Sequence, residues 1–246
     1  MARKPSGFVA SPGRAEAGIP SLLRVTIRRG VLAGRLYLGI GIAVSVLLAV
    51  VLLRTARTSS VFATTFPLEI PLFAAVGGIG GLMLFIGDRS KGVLEYLIAY
   101  GVGPRRLFAN ALAVTIVLST IVLTASLAVG LGGYLALGKP VTTDLLDALL
   151  GYTIPMTYAS ALFATLLGII WSALSTPRMG LNSPVGVAPI LGVAPPVLVL
   201  LLAESVARAE YYYVTVGTAA GFLVLVAVLL AASDRIMDRE RYLSSM

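Results

Sequence analysis

The chain has 246 residues, 58% of them hydrophobic and 12% charged, with a net charge of +8 and a mean hydropathy of +0.95. A soluble domain carries about 25% charged residues; half that share leaves a water-facing surface without polar cover, so the composition predicts an all-α membrane protein. His, Cys and Gln are absent, which excludes disulfides, thiol nucleophiles, Ser-His-Asp triads and metals held by imidazole or thiolate, and no cofactor is expected.

Residues 1–20 are rich in Gly, Pro, Ser and Ala and read as a disordered leader. In 21–35, Leu22, Leu23, Ile27, Val31 and Leu32 fall at helical spacing beside Arg24, Arg28, Arg29 and Arg35. That pattern predicts an amphipathic helix lying on the inner leaflet and feeding the first span. Crossing the hydrocarbon layer takes about 20 mostly apolar residues. Six stretches of the 36–246 segment qualify: 36–53, 70–87, 107–137, 148–173, 185–203 and 211–232. No small-residue cleavage site follows the first, and its basic leader is too long for a signal peptide, so that span is expected to stay.

Charge sets the orientation. With a cytoplasmic N-terminus, the inner segments hold 15 Lys and Arg, and the outer ones hold four: Arg54, Arg57, Lys139 and Arg208. Basic residues concentrate on the cytoplasmic side, which predicts a multi-pass cell-membrane protein with both termini in the cytoplasm. The basic residues are spread over four inner segments without aromatic interleaving, so no nucleic-acid partner is expected.

Within the second span, "GGIGG" at 77–81 places Gly77 and Gly81 at the small-xxx-small spacing that allows close helix contact. The alternative is a lining of a transport pathway. Glu69, between Pro67 and Pro71, stands just before this span, where interfacial water would solvate it. The loop at 88–106 then interrupts two charge-free runs. Val93, Leu94, Leu97 and Ile98 share one helical face there, flanked by Asp88, Arg89, Lys91, Arg105 and Arg106. Periodicity fits a lone interfacial helix as well as one that docks a partner.

"GYLALGKP" at 133–140 nearly matches a phosphate-binding loop, but Pro140 stands where a magnesium-binding hydroxyl belongs. It reads as a helix C-cap. Asp144 and Asp147 fall near the start of span four, where the helix dipole favours them. Pro189, Pro195 and Pro196 remove backbone donors from span five, which predicts a kinked or discontinuous helix and a possible gate. Tyr211–Tyr213 reads as an interfacial aromatic belt.

"DRSKGVLEYLIAYGVGPRRLFANAL" resembles the loop between spans two and three of ABC-2 type transporter permeases. The matching residues are Asp88, Arg89, Gly92, Val93, Leu94, Glu95 and Leu97, with Arg105–Arg106 in the basic position before span three. The basic amphipathic helix before span one, the count of six spans, "LLGIIWSALSTP" closing span four and the short basic tail extend the likeness. Only "ESVARAEY" stands where that family has a re-entrant hairpin between spans five and six.

The resemblance implies a permease subunit of an exporter that pairs with a second permease subunit, identical or different. It implies that ATP is bound and hydrolysed by a separate ABC ATPase, so this chain would not be an enzyme. The loop would be a coupling helix seated in a groove of that ATPase, with Val93, Leu94, Leu97 and Ile98 filling the groove and the charged residues setting orientation. A self-contained secondary transporter or channel is the alternative; it calls for midplane charged groups or internal repeats, and the sequence offers neither.

Overall fold

In lipid, a backbone can satisfy its own polar groups only as a helix or a closed barrel. The computed structural model describes residues 19–55, 59–174, 184–203 and 208–236, and these are helical with no strand among them. The helices are α1 (Ile19–Thr55), α2 (Ser59–Gly78), α3 (Gly80–Ser90), α4 (Val93–Ala99), α5 (Pro104–Ala136), α6 (Thr143–Ala148), α7 (Ile154–Leu174), α8 (Pro184–Ala203) and α9 (Arg208–Ile236). A π-helical turn, Leu149–Thr153, joins α6 to α7. Among the described residues, five helical segments are long and apolar enough to cross a membrane: Arg24–Arg54, Thr65–Ser90, Pro104–Ala136, Thr143–Ser172 and Tyr213–Ser233. Helix α8 is 20 residues long and carries no charged residue. The leader up to Gly18, the 204–207 link and the tail from 237 lie outside the described residues.

Two boundaries differ from the sequence reading. The amphipathic stretch 21–35 and the first span form a single unbroken helix. The helix that carries the second span starts at Ser59, its membrane-capable segment begins at Thr65 rather than Ile70, and it is interrupted at Ile79 between α2 and α3. There the backbone tightens locally, Ile79 N–H donating to the Val76 carbonyl at 3.3 Å. Four glycines around one residue supply little helix propensity, and what holds them is close packing. A Cβ on Gly34 of α1 would come within 2.6 Å of Gly80 Cα, so α1 and α3 meet backbone to backbone. Gly77 abuts Val122, and Gly81 abuts the Ala111 carbonyl, both on α5.

Of the kink or break expected in span five, no break occurs: α8 runs through Pro189, Pro195 and Pro196 as one helix. Pro195 and Pro196 are buried, and Gly192 sits against Ala75 and Ala164. Neighbouring helices tolerate the missing backbone bonds. Gly138, with φ of 71°, caps α5, its N–H donating to the Leu135 carbonyl at 2.9 Å, so the near-match to a phosphate loop is a helix end.

Hydroxyls knit the bundle. Thr115 and Thr165 share a hydrogen bond of 3.0 Å between α5 and α7, and Ser119 donates to the Ala74 carbonyl at 3.4 Å. Pro71 has no N–H for the carbonyl four residues back, that of Pro67, and Thr153 Oγ1 donates to it at 2.9 Å. Each such bond is worth about 0.6–2 kcal/mol in a membrane.

Candidate functional site

The helix ends at the α3–α4–α5 corner are set by glycine and proline. Gly92 adopts φ of 69°, a left-handed turn that costs a side-chain-bearing residue energy, and this folds α4 back from α3. Gly101, with φ of 88°, ends α4, and the Val102 N–H closes it on the Leu97 carbonyl at 3.0 Å. Pro104 then opens α5 at the position where a missing N–H costs nothing. The result is a seven-residue helix clamped between the 11-residue α3 and the 33-residue α5.

Of the four apolar residues expected to face a partner, Leu94 and Ile98 instead face the chain's own core. Leu94 and Ile98 are each 2% exposed and belong to the chain's own core, with Phe85 of α3, Phe108 and Leu112 of α5 and Ile169 of α7. Phe85 and Phe108 meet edge to face at 5.6 Å. Val93 and Leu97 are half-buried and border a cleft of ≈ 140 Å³ whose other wall includes Val25 and Arg29 of α1. The reason is burial: a face this apolar gains roughly 25 cal/mol per Å² removed from water, and the spans that carry α4 reach it first.

Asp88 is likewise turned inward. It is 8% exposed and pairs with Arg29 of α1. The neighbouring Arg89 donates to Ser172 Oγ at the end of α7, 3.5 Å away. These charges therefore brace α3 against α1 and α7. Glu95 is half-buried, and its Oε2 finds no hydrogen-bond partner among the described residues.

The outward side of α4 belongs to residues the sequence reading passed over. Tyr96 is 60% exposed and Tyr100 is 73% exposed, and their rings stand 4.4 Å apart. The hydrogen bond with Tyr100, and then repulsion from that second phenol, push the Tyr96 hydroxyl above the usual tyrosine range. Lys91, Gly92, Arg105 and Arg106 are exposed beside them. The signal was readable as two tyrosines four residues apart on the face opposite Leu94 and Ile98. No cluster of three metal-ligating side chains occurs among the described residues.

The fold and this corner define a multi-pass, all-helical membrane protein. Compared with protein-family models, curated proteins and solved structures, the chain matches none.

Proposed function

We propose that the chain is the membrane-spanning permease subunit of an ATP-driven transporter of the ABC-2 type. In this reading α8 is a sixth span, both termini are cytoplasmic, and a second permease subunit completes the pathway. A separate ATPase supplies the energy, and transport is outward by alternating access. The observation that supports it is the build of α4. A short helix, anchored through Leu94 and Ile98 into the ends of α3, α5 and α7, presents an aromatic pair and flanking basic residues outward. Force applied to that outer face passes directly into three membrane helices, as mechanical coupling requires.

The partner-facing residues are then Tyr96 and Tyr100, with Lys91, Arg105 and Arg106 as the charged rim. The test is copurification from detergent-solubilised membranes with a P-loop ATPase encoded beside this chain. The unaltered protein retains the ATPase, and Tyr96→Ala with Tyr100→Ala lowers the retained amount about tenfold, equivalent to about 1.4 kcal/mol. Transport by the chain alone, in vesicles free of any ATPase, would refute the reading.

That last outcome belongs to the second reading, a self-contained secondary transporter. One observation favours it: Glu69 of α2 packs inside the helix pair α1–α2 rather than at its end.

A further inference from the structure

Ser45 of α1 and Glu69 of α2 border one small cavity. Ser45 is 5% exposed, and both its Oγ and the Glu69 Oε2 are buried with no hydrogen-bond partner among the described residues. The cavity measures ≈ 10 Å³, close to the space that one water molecule fills. Leu48, Ala49, Phe66, Ile70 and Phe73 make up its remaining walls, and none of them titrates.

Depth gives this pair its meaning. Phe62 stacks on Tyr134 with ring centroids 4.6 Å apart, and the Lys139 ammonium stands 5.7 Å from the Tyr134 ring. Both rings are buried within the bundle, and Phe62 precedes Thr65, where the apolar segment Thr65–Ser90 begins. Glu69 lies four residues inside that segment, about 6 Å along the helix at 1.5 Å per residue, in a layer about 30 Å thick. The sequence reading had it solvated at the interface, because it took the span to begin at Ile70.

Among the described residues, no opposite charge faces Glu69. Helices α5 from Leu107, α7 and α8 carry no charged residue. Arg54 on α1 and Asp144 and Asp147 on α6 are exposed at helix ends and do not line the cavity. Tyr134 on α5 sits at the level of Phe62, and Tyr152 and Tyr158 are not among the lining residues. An unpaired carboxylate in hydrocarbon is costly, and intramembrane acids commonly serve proton transfer. A metal ion does not suit the niche, since calcium takes 6–8 oxygens and magnesium an octahedron, against one carboxylate and one hydroxyl here.

We propose that Glu69 and Ser45 form a membrane-embedded proton-binding site, with a single water bridging Glu69 Oε2 and Ser45 Oγ. On loading, the carboxylate gains a proton from hydronium, forming an O–H bond and releasing water; on unloading, the same bond breaks and the proton returns to water. Ser45 anchors the bridging water in both states. The site needs no partner subunit, so it stands or falls apart from the permease reading.

The test uses the full chain in zwitterionic phospholipid vesicles and dicyclohexylcarbodiimide, which partitions into hydrocarbon. The reagent adds the acid O–H across one N=C bond, and acyl transfer to nitrogen leaves a stable N-acylurea, read by mass spectrometry of the Glu69 peptide. Labelling at Glu69 is expected to fall about tenfold or more between about pH 5 and pH 9 as the proton is lost. Glu69→Gln abolishes it while leaving the gel-filtration profile unchanged. Ser45→Ala moves the labelling midpoint by about half a pH unit or more. No modification of Glu69 across that range, modification independent of pH, or protection by sodium at fixed pH would each overturn the proposal.

Discussion

At the α3–α4–α5 corner Asp88 is paired with Arg29 and Arg89 with Ser172; in the α1–α2 niche Glu69 and Ser45 face a cavity instead. Both places bring acidic groups into helix packing, yet at the corner Asp88 and Arg89 close on protein partners, Glu95 Oε2 being the exception, while the niche leaves both its polar atoms toward a water-sized space. A polar atom closed on protein holds geometry, because freeing it exposes an uncompensated group. One that faces a cavity can exchange a proton or a water without moving a helix. The corner is therefore built for stiffness and the niche for exchange. That contrast makes separable predictions.

The largest effect is expected where the corner's stiffness originates. Leu94→Ala removes a fully packed side chain from the cluster around Phe85 and Phe108. It should cost about 2–4 kcal/mol, read as a lowered midpoint of thermal unfolding in detergent. If α4 were a loosely attached surface helix, the midpoint would stay where it is. Next comes Asp88→Ala, which leaves Arg29 without its partner. Arg29 is 46% exposed in its side chain and can turn to water, so the expected cost is about 1 kcal/mol. Exchanging the charges, Arg29→Asp with Asp88→Arg, should recover at least half of it; no recovery would mean that Asp88 acts through something other than this pair.

Much of this architecture was legible in the apolar runs alone, because a run of that length has few other fates. The start of α2 was hidden: Ser59, Ser60, Thr64, Thr65, Pro67, Glu69 and Pro71 dilute its hydropathy. What keeps it helical is tertiary, the stack of Phe62 and Phe66 with Tyr134, and the Thr153 hydroxyl on the carbonyl that Pro71 leaves free. Missing those contacts put Glu69 at the interface and concealed the niche. Proline also misled in the other direction, since α8 stays continuous while the interruption falls at Ile79, in a run of glycines. For α4, periodicity correctly grouped Val93, Leu94, Leu97 and Ile98 on one face. Whether that face meets the chain's own core or another molecule is a property of the assembled bundle, and no local pattern encodes it.

The smallest effect on stability should come from the outer face of α4, and there a small number is informative. Tyr96 and Tyr100 touch each other and are mostly exposed, so replacing both with Ala removes an aromatic contact worth about 0.5–1.5 kcal/mol beyond burial at most. Surface changes usually stay within about 0.5 kcal/mol, and solvent exposure places this pair toward that end. The unfolding midpoint of the double variant should therefore lie within a few degrees of the parent, far above that of Leu94→Ala. On the permease reading proposed above, its ATPase retention should in contrast drop while that of Asp88→Ala is affected less. An inner face that sets stability and an outer face that sets association would then be two sides of one seven-residue helix. If the tyrosine variant instead unfolded as readily as Leu94→Ala, the outer face would be structural, and the division of labour across α4 would be lost.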